Sequence, residues 1–91
     1  MLCVYILACG DGSLYTGWTD DLERRLRSHE QGRAAKYTRS RLPVRLAGWI
    51  PAADASQAKS VEARFKQLSR QEKLAALEAG QAFGFALHKA R

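Results

Sequence analysis

Apolar residues run without a break from Leu2 to Cys9, include β-branched and aromatic members, and stop at Gly10-Asp11-Gly12. A second short run, Leu14 to Trp18, follows directly. Two such runs around a Gly-Asp-Gly cluster predict a β-hairpin. The period then changes. Asp20-Asp21-Leu22-Glu23 resembles a capping box with acids at the positive end of the helix dipole. A first helix is therefore expected to run to about Glu30 and end at Gly32. Residues 33–42 are basic and irregular, Pro43 closes them, and Val44 to Ile50 reads as a third strand ended by Pro51. A second helix is predicted over about 54–68, with Ala58, Val61, Phe65 and Leu68 on one stripe. Ser69-Arg70-Gln71-Glu72 is a capping box that opens a short third helix ending near Gly80. Beyond it, Phe83, Phe85 and Leu87 alternate in the manner of an edge strand. The order ββαβαα describes an α/β (α+β) sandwich, with one domain over residues 1–80 and a C-terminal tail over 81–91.

The chain has 91 residues, which excludes a multidomain enzyme, and its 46% hydrophobic content is too apolar for a disordered protein. The apolar start lacks a basic flank and is too short for a signal peptide or a membrane span, so a soluble, cytoplasmic protein is expected. Cys3 and Cys9 would lie roughly 20 Å apart along one strand, beyond bridging distance, and neither has a CxxC neighbour that would suggest zinc. They read as small buried hydrophobes.

The net charge of +6 favours a polyanionic partner, and its distribution is uneven. Arg24, Arg25, Arg27, Arg33, Lys36, Arg39, Arg41 and Arg45 are opposed within their segment by Glu30 alone, a local balance of +7. The rest of the chain therefore sums to −1. Like charges without partners repel, and a phosphate backbone relieves that repulsion by releasing counterions. Tyr37, among these cations, either stacks on an unpaired base or anchors the loop to the core.

Three further features bear on chemistry. Tyr5 and Tyr15 sit at the centres of the two hairpin strands. They share a face if the pairing register sums to an even number; otherwise each is an ordinary strand residue. Arg25 and His29, four apart on one helix face, border the apolar stripe of Leu22 and Leu26. Emerging at the edge of the core, they suit a phosphate, with Arg gripping two oxygens and His near its switching pH; a plain surface His is the alternative. Glu62 flanks the stripe of the second helix. It is either an exposed partner of Lys59 or Lys66, or a ligand for Mg²⁺, which takes few protein oxygens and keeps its waters.

Cys3-Val4-Tyr5 followed by Tyr15-Thr16-Gly17 resembles the paired signatures of the GIY-YIG nuclease superfamily. The resemblance continues in Leu22 to His29, with Arg four residues before His, and in Ala35-Lys36-Tyr37-Thr38, which looks like the loop of the small stand-alone bacterial (YhbQ-like) branch. Val61 to Leu68 resembles the helix carrying that family's acidic residue. Two departures from the pattern matter: the first signature reads Cys-Val-Tyr, without its initial Gly, and the second reads Tyr-Thr-Gly, with Thr for Ile. The resemblance implies a small three-stranded antiparallel sheet flanked by helices, and Mg²⁺- or Mn²⁺-dependent cleavage of phosphodiesters. It makes Tyr5 the general base or orienter of the attacking water, and Tyr15 a phosphate or proton-transfer partner. Arg25 would stabilise developing charge, His29 would assist phosphate contact or proton transfer, and Glu62 would hold the metal. A free phenol has a pKa near 10, so Tyr5 needs a neighbouring cation such as Arg25 to act as a base.

Arg24, Arg33, Lys36, Tyr37, Arg39 and Arg41 are the expected nucleic-acid contacts. The partner is DNA, or RNA, recognised through structure or backbone with little sequence readout. The competing expectation is a nucleic-acid-binding module that keeps the fold without catalysis. A membrane-surface protein fits poorly, because no helix joins a basic face to a broad apolar one.

Overall fold

A computed structural model describes residues 1–90; Arg91, the end of the expected tail, lies outside the described residues. The hairpin forms as the sequence pattern predicts, with β1 at Cys3–Ala8 and β2 at Leu14–Thr19. β1 is the central strand of a sheet ordered β2-β1-β3-β6, where β3 is Arg45–Pro51 and β6 is His88–Lys89. All its pairings are antiparallel. The implied three-stranded sheet is present as β2-β1-β3, and β6 adds a short fourth strand.

Central position explains the unbroken apolar run of β1. A strand covered on both faces has no solvent side on which to place polar residues. Its odd-numbered face (Tyr5, Leu7) joins Cys9 and Val44 in one cluster, against which Tyr15, Leu22, Leu26, Leu46 and Trp49 pack. Its even-numbered face (Val4, Ile6) joins Ile50, Ala58, Val61, Phe65, Leu77, Ala82 and Leu87 in the other. Helix α1 (Leu22–Glu30) therefore covers one face, and α3 (Ala55–Lys66) with α4 (Arg70–Ala79) covers the opposite one. The sequence stripe of the second helix accordingly supplies Ala58, Val61 and Phe65 to the core.

Caps set the helix ends. α1 is capped by Asp21, whose side chain accepts from the Arg24 N–H at 3.2 Å, one residue later than the expected Asp20 box. The Ser69–Glu72 capping box is complete in both directions, and Gly80 ends α4 in the left-handed conformation. The segment read as irregular contains one helical turn, α2, at Lys36–Arg39. Phe83 does not lie in a strand. It forms a two-residue turn with Gly84, both at positive φ, between β4 (Gln81–Ala82) and β5 (Phe85–Ala86). Gly48 on β3 permits β6 to close on the sheet, because a Cβ there would stand 2.9 Å from the His88 carbonyl and from Leu77 and Leu87. Both cysteines are free and buried. Among the described residues, no helix is long and apolar enough to cross a membrane.

Candidate active site

The hairpin register pairs Tyr5 with Gly17 and Leu7 with Tyr15, an even sum, so Tyr5 and Tyr15 project from the same face. The phenol of Tyr5 lies across β2 over Gly17. A Cβ at position 17 would come within 2.5 Å of the phenolic oxygen, so glycine here is a space requirement of the tyrosine opposite. Tyr5 is only 1% exposed, and its hydroxyl lies 2.7 Å from His29 Nε2. The other imidazole nitrogen, Nδ1, lies 2.8 Å from Thr38 Oγ1, and the Thr38 hydroxyl donates to the Ala35 carbonyl at 3.2 Å.

His29 was expected at the edge of the core; it is fully buried. The difference comes from α2, which folds over α1 and places Thr38 against the outer side of the imidazole. Burial, and secondarily the Arg25 charge, push the His29 pKa below its usual range, so the ring is neutral at pH 7 and does not sit at a switching point. Tyr5 also departs from expectation. Desolvation raises its pKa well above that of a free phenol, the Tyr15 charge adds to this, and the charge and N–H of Arg25 oppose it without prevailing. Tyr5 is thus protonated, and its hydroxyl faces a neutral imidazole.

The remaining site residues gather around this pair. The Tyr15 ring lies 5.2 Å from His29 and 6.4 Å from Tyr5, and Tyr37 covers its other side at 5.7 Å. Tyr37 serves as a loop anchor while remaining 38% exposed. Arg41 sits 3.8 Å above the Tyr37 ring and pairs with Asp11 at 2.9 Å, tying the loop to the hairpin turn. Arg25 stands beside the Tyr5 phenol and borders two clefts. One, of about 390 Å³, is lined by Arg24, Ser28 and Arg33 among others, and one of about 310 Å³ by Trp18, Thr19 and Asp20. Tyr5 and His29 line neither; they form a layer beneath.

Glu62 reaches the site from α3, and its charge acts on the Tyr5 phenol. Its side chain is 20% exposed, and its carboxylate lies 3.3 Å from Lys66 Nζ. Lys59, the other expected partner, lies over the Trp18 ring instead. No group of three or more His, Cys, Asp and Glu that could hold a metal exists among the described residues. A divalent ion would take Glu62 as its one carboxylate and fill its shell with water and substrate oxygens, a set that suits Mg²⁺. Arg24, Arg25, Arg27, Arg33, Lys36, Arg39 and Arg45 make no ion pair among the described residues. Thr38 is the participant that sequence reasoning missed. Its only signal was a hydroxyl-bearing, β-branched residue in a run of cations.

Residues 1–75 match the family model described as the GIY-YIG catalytic domain. A UPF0213 protein of Streptococcus sanguinis is 53% identical over 72 residues, covering 79% of this chain and 83% of the relative. One from Bacillus velezensis is 48% identical over 69 residues, covering 76% and 70%. The solution NMR structure of a UPF0213 protein from Bacillus halodurans superposes with a TM-score of 0.58 at 40% identity, covering 90% of this chain and 87% of that one.

Proposed function

This chain belongs to the GIY-YIG family, and from that premise we propose that it is a divalent-metal-dependent nuclease cleaving phosphodiester bonds in DNA. It reads backbone and strand structure with little sequence specificity. The observation that carries this is the buried Tyr5–His29 hydrogen bond of 2.7 Å, lying beneath an exposed Arg25 and within the field of Glu62. We place its action in the cytoplasm, where two free cysteines stay reduced.

Tyr5 cannot act as a stored phenolate, because burial holds its proton. It acts as a relay. As the attacking water bonds to phosphorus, its proton passes to the Tyr5 oxygen while the Tyr5 proton passes to His29 Nε2. The phosphorus–oxygen bond to the leaving group breaks, and solvent supplies the leaving oxygen with a proton. His29 then returns its proton by the same route. Arg25, with five fixed donors, binds the phosphoryl oxygens and stabilises their developing charge. Tyr15 orients the same phosphate from β2. Glu62 would hold Mg²⁺ or Mn²⁺, which supplies charge stabilisation at the leaving oxygen when bound. Arg24 and Arg33 in the adjoining cleft, with Lys36 and Arg39 on α2, carry neighbouring phosphates.

Single-stranded, duplex and flapped DNA, each incubated with Mg²⁺ or Mn²⁺, test this directly. The wild type should cleave at least one form, and Arg25→Ala and Glu62→Gln should not. No cleavage by the wild type, or equal cleavage by both variants, overturns it. The 1% exposure of Tyr5 and the Cys3 substitution favour a second reading, a binding module without turnover. That module would bind DNA undiminished in the presence of a chelator.

A further inference from the structure

We propose that Thr38 is a positioning residue. It holds His29 in its Nδ1–H tautomer and thereby aims the Tyr5 hydroxyl proton at Nε2. Its bearing on cleavage rests on the nuclease reading above; the tautomer does not.

Three hydrogen bonds leave one consistent arrangement of protons. A carbonyl oxygen only accepts, so the single hydroxyl proton of Thr38 is committed to Ala35. The Thr38 oxygen can then only accept from the imidazole nitrogen 2.8 Å away, which requires a proton on Nδ1. A neutral imidazole carries one N–H, so Nε2 is bare and must receive the Tyr5 hydroxyl at 2.7 Å. Tyr5, His29 and Thr38 are each 1% exposed or less, so bulk water does not replace these three hydrogen bonds. The logic is that of a base oriented by a third group, with a neutral hydroxyl as the orienter. Because Thr38 accepts without a proton to pass on, a proton arriving at His29 stops there.

Thr38 lies on α2, between the exposed Lys36 and Arg39. The loop expected to meet the nucleic acid and the reacting tyrosine are therefore joined by one buried hydrogen-bond chain.

The test is ¹⁵N NMR of the imidazole ring near neutral pH, in a His88→Gln background that leaves His29 as the single histidine. The parent should show a neutral ring protonated at Nδ1, Thr38→Ser should keep that signature, and Thr38→Val should lose it. In cleavage assays Thr38→Val should lower kcat roughly tenfold or more with KM within about twofold, and Thr38→Ser should recover most of the loss. A parent ring protonated at Nε2, or a Thr38→Val ring unchanged from the parent, overturns the proposal. Should Thr38→Val not fold, the parent and Thr38→Ser spectra still decide it. Absence of cleavage by the parent would defeat the nuclease reading alone, because the tautomer is measured without substrate.

Discussion

Gly17→Ala is a small change placed where the fold has no room. The new Cβ would stand 2.5 Å from the Tyr5 oxygen and 2.7 Å from the ring carbon bearing it, whereas ordinary contact begins at 3.4 Å. The phenol must therefore move by about 0.9 Å. The 2.7 Å bond to His29 cannot absorb that displacement, since such bonds weaken beyond about 3.0 Å. Overpacking a filled site costs about 1–3 kcal/mol, and the lost hydrogen bond adds about 1 kcal/mol. The sum is about 2–4 kcal/mol, and each kcal/mol lowers the Tm of a domain this size by roughly 4–8 °C. If Tyr5 relays the proton, a misplacement near 1 Å should also slow cleavage about a hundredfold. Thermal unfolding followed by circular dichroism, alongside kcat on the preferred DNA, measures both effects. In a Tyr5→Leu background most of the ring is gone, and the same Gly17→Ala change should cost under about 1 kcal/mol, a coupling that only contacting residues show. Parental stability and rate in Gly17→Ala, or an equal cost in the Tyr5→Leu background, would refute the steric account of this glycine.

Thr16 is 2% exposed and its hydroxyl has no hydrogen-bond partner among the described residues, so Thr16→Val should raise stability by about 1 kcal/mol, read as a higher Tm. His29 is neutral in the folded chain with a depressed pKa, so below the usual value of 6.5 the unfolded state binds the extra proton. Stability should be full above that value and fall as pH drops from it toward the folded pKa, by at most about 1.4 kcal/mol per pH unit; His29→Gln should flatten the fall in Tm over that window. Removing Lys36 and Arg39 together should weaken DNA binding for all sequences alike and shrink the slope of log K against log salt by about 2, as measured by fluorescence anisotropy. An unchanged slope would show that α2 does not meet phosphate. Phe65 is fully buried on the face away from the site, so Phe65→Ala should cost about 3–5 kcal/mol in denaturant unfolding.

The elements that obey local rules were readable from the chain alone. A cap acts over four residues, so Ser69 and Glu72 announced α4, and the spacing of Ala58, Val61 and Phe65 announced which side of α3 is apolar. The tyrosines, the Arg25–His29 pair and Glu62 were visible as candidates chiefly because they stand in stretches that resemble the GIY-YIG signatures, each being ordinary on spacing alone. Their arrangement depended on contacts between segments distant in the chain. The register that sets Tyr5 beside Tyr15 is a relation between two strands, and both parities fit the same residues. Whether His29 faces solvent depended on α2 packing back over α1, which four residues of basic sequence do not announce. The protonation of Tyr5 turned on a competition between a nearby cation and desolvation. The cation is written in the chain, whereas desolvation exists only once β2, α1 and α2 have closed over the ring, and there it prevails.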